Sequence, residues 1–232
     1  LAVTGHITFE ETVALAEKWF SPIPRRHVPR RSLPMEPMQT EERRLTVERN
    51  VPVDALYMAF HMCSRNHPDY YAFDMLSDLL SSGRSSRFVQ HLVQDKQIFN
   101  SIDAYISGSI DNGLFHIVGK PAPEKTLEEA EKAIWEELAL LTEGSIDENE
   151  LEKVKNRYES EQIFNNLNYL NVATNLAYFE LIGKAEDINT EVEKYRSVTQ
   201  EQIKRAAKQT FLPENCSVLY YKAAAKGASH TP

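Results

Sequence analysis

The stretch LSSGRSSRFVQHLVQDKQIFNSI, residues 80–102, sets a glycine among serines, two arginines and an amphipathic run side by side. A glycine turn ahead of a helix can cradle a phosphate, because backbone N–H groups and the helix dipole point at the anion. A Walker loop also needs Gly-x-x-x-x-Gly-Lys-Ser/Thr, whose lysine and hydroxyl hold phosphate and magnesium. Residues 80–87 offer one glycine, Gly83, and no lysine. Ser85 or Ser86 at the N-cap of the next helix accounts for the serines. The stretch therefore reads as a joint between two helices rather than a phosphate loop.

The flanks extend that reading. HPDYYAFDMLSDLLSSG (67–83) predicts a helix with Pro68 at its first position and Gly83 beyond its end. A second helix is expected from near Ser85 through RFVQHLVQ. RRLTVER (43–49) alternates like a half-buried strand, and DALYMAFHMCS (54–64) like a more apolar one. Two strands are expected around 98–109 and 113–119, with Asp111-Asn112-Gly113 turning between them. From Thr126 to about Leu212 the pattern is nearly all helical, with capping boxes at Ser145/Glu148 and Thr199/Gln202. CSVLYYKA (216–223) closes the pattern as a strand. Strands, helices, a hairpin, a run of helices and a last strand make an α+β layered domain.

Ahead of this lies LAVTGHI, which reads as a strand, then a helix opened by a Thr8/Glu11 capping box. Val13, Ala16, Trp19 and Phe20 give that helix one apolar face. The start in mid-pattern leads us to expect that the chain is part of a longer protein. Residues 21–42 carry five prolines and four arginines. Proline at that density forces extended backbone and removes donors, so a linker is expected. Its cluster of Arg25, Arg26, Arg30 and Arg31 is read as a solvated tether, with docking on an acidic partner the sharper reading. The tail AAAKGASHTP is expected to fray.

Composition narrows the function. At 42% hydrophobic and 26% charged, the 232 residues are globular in character. A net charge of -8 argues against a nucleic-acid binder, which would show a basic face. Acids such as those in LEEAEKAIWEELALLTEG (127–144) read as a solvated helix surface. No apolar run approaches the roughly 20 residues that span a bilayer. Cys63 and Cys216 fit neither a disulfide framework nor a CxxC zinc pattern, and read as buried free thiols.

The residues alone offer no active site. None of the seven histidines sits in His-x-x-Glu-His or His-Glu-x-x-His. The one local cluster, His61, Cys63 and His67 in HMCSRNH, is what a half-buried strand end also looks like. GRSSR is not Gly-x-Ser-x-Gly, and neither cysteine has a nucleophile's context. The i,i+4 pairs Asp74/Asp78 and Glu148/Glu152 read as exposed acids, and Phe179, Leu181 and Ile182 as core. The expectation is that this chain holds no catalytic and no metal-ligating residue.

The order of segments carries a resemblance. HPDYYAFDMLSDLLSSGRSSRFVQHLVQDKQIFNSIDAYIS, followed by DNGLFHIVGKPAPEKTLEEAEKAIWEELALLTEGSIDENELEKVKN, resembles the second domain of a pitrilysin/insulinase-type (inverzincin) zinc metallopeptidase. That family includes mitochondrial processing peptidase. Ser86-Arg87 and Glu150-Leu151 stand at the family's Ser-Arg and Glu-Leu positions, and LAVTGHITFEETVALAEKWFSPIP resembles the close of the preceding, metal-binding domain.

The resemblance implies an antiparallel-rich sheet covered by helices, the family's α/β roll. It implies the end of a metal-binding domain over 1–20, a linker over 21–42, the C-terminal peptidase-family domain over 43–223 and a flexible tail over 224–232. It places zinc in the N-terminal domain of the parent protein, where the family's His-x-x-Glu-His lies. Some members carry an arginine and, seven residues later, a tyrosine that assist at the substrate carbonyl. Val93 and Asn100 stand at those two places, and neither can do that work. The implied function is the non-catalytic half of a zinc endopeptidase that helps to enclose a peptide chamber. The alternative is an inactive relative acting as a partner or scaffold subunit. Implied partners are the N-terminal domain of the same protein or a homologous subunit, in a homo- or hetero-oligomer, and a peptide substrate. The compartment stays open between bacterial cytoplasm and periplasm.

Overall fold

The computed structural model describes residues 1–28, 34 and 36–224. Arg30, Arg31 and the tail from residue 225 lie outside the described residues. The chain divides into two compact units: Leu1–Met38 with Glu159–Val192, and Gln39–Tyr158 with Glu193–Pro232.

The larger unit is built on a five-stranded sheet in the order β1-β5-β2-β4-β3. The strands are β1 (Arg43–Arg49), β2 (Ala55–Ser64), β3 (Phe99–Ser107), β4 (Asn112–Pro121) and β5 (Cys216–Ala223). β1 runs parallel to β5, and every other pairing is antiparallel. Strand alternation sends Leu56, Met58, Phe60 and Met62 of β2 to one face, where all four are buried. Three helices cover that face: α2 (Tyr70–Ser81), α3 (Leu127–Glu143) and α7 (Gln200–Thr210). Phe211, just past α7, meets Phe60 and Phe115 edge to face at ring separations of 5.2 and 5.1 Å. At Gly119 of β4 the core needs a missing side chain, since a Cβ there would run into the buried ring of Phe99.

The helix starts follow the capping rules only in part. Thr199 caps α7 and Thr126 caps α3, each in a full capping box with Gln202 and Glu129. α2 begins at Tyr70, two residues after Pro68, and stops before Gly83, whose φ of +87° an L side chain would resist. The expected Ser145 cap is not formed. α4 (Glu148–Asn165) starts one residue after Asp147, whose Oδ1 accepts from the Asn149 N–H at 2.6 Å. The hairpin turn also falls earlier than expected, over residues 108–111, because Asn112 and Gly113 already pair with Ser64 and Met62.

In the smaller unit, α1 (Phe9–Phe20) carries the expected Thr8/Glu11 box but buries none of its residues. LAVTGHI forms no strand. Nothing among the described residues pairs with its backbone as a ladder; instead the Thr4 hydroxyl donates to the Tyr169 carbonyl at 2.6 Å. α5 (Tyr169–Ile182) is capped by Asn168, and it leaves Leu170 and Leu181 exposed, against the expectation that Leu181 is core.

The acids of α3 are the main departure from the sequence reading. Glu131 and Glu137 are buried, not solvated. Glu131 follows Leu127 by four residues, so it rides on the apolar stripe, and the fold gives it partners there. Arg44 of β1 binds both its oxygens, the Tyr220 hydroxyl donates at 2.6 Å and the Trp135 indole at 3.3 Å. Burial works to raise the Glu131 pKa, but these hydrogen bonds and the Arg44 charge outweigh it and hold it low.

A carboxylate held low contributes stability that is present above its unfolded pKa and is lost as the pH falls through the folded value. Glu131→Gln should therefore melt well below the parent at neutral pH, with the gap narrowing on acidification below the usual carboxylate range. Paired thermal melts across that range check it.

Candidate functional site

The joint at residues 80–102 is held by Ser86 and Arg87. Ser86 is buried and donates its hydroxyl to the Gly83 carbonyl at 2.8 Å, bracing the turn rather than capping a helix. Arg87 grips Glu150 with Nε and Nη2 at 2.9 and 3.0 Å and reaches the Ser145 carbonyl at 3.2 Å. With Arg87 14% and Glu150 18% exposed, this two-pronged pair is shielded enough to fix α4 against the joint. Ser85 accepts from Lys153 at 2.8 Å. Each polar group of the motif is thus engaged with the protein itself.

Within the joint, after Arg87, comes a π-helix, Phe88–Asp95, where a regular helix was expected. The Lys96 N–H donates to the His91 carbonyl five residues back, the widened register of that helix. It turns His91 toward α3, where Nδ1 lies 2.8 Å from Oε1 of Glu137, a side chain only 1% exposed. The other oxygen, Oε2, has no hydrogen-bond partner among the described residues. Leu92 is core, and Val93 packs half-buried against the core instead of projecting freely. Ile102 is buried and Ile98 packs beside it. Asn100 is exposed and sits where the β3–β4 register slips between Phe99 and Ser101, a bulge that re-aims its side chain.

The second candidate surface is the sheet face away from the helices. β-register aligns Leu45, Leu219, Tyr57, Val118 and Asp103 in one row across it, and Arg43, Ser217, Ala59, His116 and Tyr105 in the next. Leu45, Tyr57 and Tyr105 are 61%, 39% and 47% exposed, an unusual density of apolar surface left in water. The middle of these rows forms a shallow hollow of about 320 Å³. His116 stacks on Tyr105 at 4.9 Å, bonds Ser107 Oγ through Nε2 at 2.9 Å, and is held neutral by burial, which lowers its pKa.

His61 and Cys63 follow on the same face of β2. The His67 ring instead accepts from the Asp69 N–H at 3.1 Å. Among the described residues no group of three or more His, Cys, Asp or Glu is placed to hold a metal. Burial, with Asp69 nearby, pushes the Cys63 thiol up to about 11, and burial pushes Cys216 up to about 12. Both are thiols and not thiolates at neutral pH. Asp74 and Glu152, expected as free surface acids, are engaged: Asp74 accepts from the Tyr195 hydroxyl and Glu152 pairs with Arg196 at 3.3 Å. No described helix is long and apolar enough to cross a membrane.

The family model described as the peptidase M16 inactive domain matches residues 1–158. The chain belongs to that family. It is 24% identical over 213 residues to YmxG of Bacillus subtilis (strain 168), called an uncharacterized zinc protease, covering 91% of this chain and 51% of that one. It is 22% identical over 225 residues to the zinc protease PqqE of Helicobacter pylori (strain ATCC 700392 / 26695), covering 95% and 50%. The chain thus spans about half the length of the curated relatives it matches. The crystal structure of a protease from Helicobacter pylori superposes with a TM-score of 0.85 at 22% identity, over 94% of this chain and 54% of that one.

Three variants test the joint. Removing the imidazole partner of the buried Glu137 carboxylate leaves it unsatisfied, so His91→Ala should cost about 1–3 kcal/mol. Asn100→Tyr should shift stability by no more than about 0.5 kcal/mol, as exposed changes do, while Val93→Arg should cost more because it disturbs core packing. Denaturant titrations of the three variants decide all three.

Proposed function

We propose that this chain is the non-catalytic C-terminal half of a zinc metalloendopeptidase, and that the open face of its sheet is one wall of the chamber that encloses the peptide. The single observation behind this is that face: a five-stranded sheet, packed by helices on one side, leaves Leu45, Tyr57, Tyr105 and their neighbours uncovered on the other. Aromatic and aliphatic groups on a sheet can bind unfolded chain of many sequences, which a digestive chamber requires. In this reading zinc and its catalytic water belong to the N-terminal metal-binding domain of the parent, and that domain, or a homologous subunit, is the partner.

Ser86 and Arg87 then serve to brace the joint that carries the family motif. Val93 and Asn100 occupy the helper positions without helper chemistry: valine has no donor, and the asparagine amide is short and neutral. The same two residues favour the second reading, an inactive relative that acts as a scaffold subunit.

The isolated chain should hold no stoichiometric zinc and hydrolyse no unfolded peptide. Supplying the metal-bearing half, in the same chain or as a partner, should give zinc-dependent cleavage. A folded, zinc-loaded pair that binds peptides but never cuts them would establish the scaffold reading instead.

A further inference from the structure

The segment from Phe88 to Ile98 goes against local preference at two adjoining places. Phe88–Asp95 is wound as a π-helix through eight residues. That register is ordinarily met as a single turn inside an α-helix, often at a functional site. The winding runs out at Gln97, whose φ of +49° lies in the left-handed region that an L side chain resists. Left to itself, this stretch would wind otherwise, so a non-local contact holds it.

Phe88 and Leu92 are fully buried, but they do not choose the register. They are four residues apart, close to one full turn in the α and the π winding alike. Arg87, pinned to Glu150, and Phe99, buried in the sheet, fix the two ends and leave the winding between them open. His91 does choose. Three residues past Phe88, it points in different directions in the two registers, and the π register sets it on Glu137 of α3, 46 residues away, at 2.8 Å. The contact is only half made, because Glu137 is 1% exposed and its Oε2 has no partner among the described residues.

We infer that residues 88–97 are a two-position element, and that the His91–Glu137 contact is the latch that selects the π register. With the latch released, the helix rewinds to the α register and passes one residue on to the turn at 96–98. Gln97 then leaves the left-handed region. Side chains past the point of rewinding swing by about 100°, the angle of one residue. Val93 gives up its half-buried place against the core, so the latch decides which way position 93 faces. The imidazole is 42% exposed and lines a cleft of about 530 Å³ with Gln90, Asp147 and Lys153. A group that competes for His91 therefore reaches the latch from solvent.

Position 97 reports the register, and a cycle of thermal melts on the 232-residue chain reads it. In the π register Gln97→Gly relieves a left-handed residue and should raise Tm by about 1–4 °C. In the His91→Ala background residue 97 is no longer left-handed. The same glycine should there lower Tm, because it only adds freedom to the unfolded chain. Glu137→Gln keeps an acceptor for His91 and should behave like the parent. Crystal structures of the parent and of His91→Ala should show the Lys96 N–H moving from the His91 carbonyl to that of Leu92. If His91→Ala strands the Glu137 charge and fails to fold, His91→Ala combined with Glu137→Leu removes that charge and runs the same cycle. A glycine gain of equal size in both backgrounds, or an intact π-helix in the structure without the latch, would overturn the two-position element.

Discussion

The alternation of β2 is the constraint on which the larger unit depends. Third of five strands, it pairs with β5 on one side and β4 on the other, so its register is fixed twice. A slip of one residue would send Phe60 and Met58 into water and His61 and Tyr57 into the core. The ring contacts from Phe60 to Phe211 and Trp135 then bind α7 and α3 to the same face. Because all the helices that cover the sheet are committed to that side, the other side is left as a surface. The function we propose is a consequence of that one-sidedness.

The joint at 80–102 illustrates how a sequence motif acquires meaning from its partner. Ser-Arg after a glycine turn has no chemistry of its own, and the pairing of Arg87 with Glu150 bridges 63 residues of sequence. The fold uses the pair as a brace between the first helical layer and α4. The neighbouring π-helix, which turns His91 onto the buried Glu137, ties the joint to α3 as well. One short segment thus fastens two long helices to the sheet.

Much of this was legible in the residues and some was not, for physical reasons. Period-two alternation marked β2 to within a residue or so, since its two faces meet different environments. β1 falls where expected but is exposed along nearly its whole length rather than half-buried, because it lies at the edge of the sheet. The Thr8 and Thr199 boxes were legible because their bonds are local. The hairpin turn was misplaced because Asn-Gly is a local preference, and the pairing of Gly113 with Met62 overrides it. Glu131 and Glu137 looked like solvated acids because what makes burial tolerable, Arg44 and His91, lies 87 and 46 residues away. A hint existed in their position on the apolar stripe of α3. The π-helix leaves no periodic mark in eight residues, and the open hollow arises only from strands far apart in sequence lying side by side.

The parallel pairing of β1 with β5 joins residues 43–49 to residues 217–223, nearly the whole length of the chain. As the polypeptide leaves the ribosome, β1 therefore has no neighbour until the last strand has emerged, and until then β2 presents a bare edge. Such non-local pairing slows folding and prolongs the exposure of sticky intermediates. The three arginines and one glutamate of RRLTVER are the kind of charge that discourages a waiting edge strand from pairing with another chain.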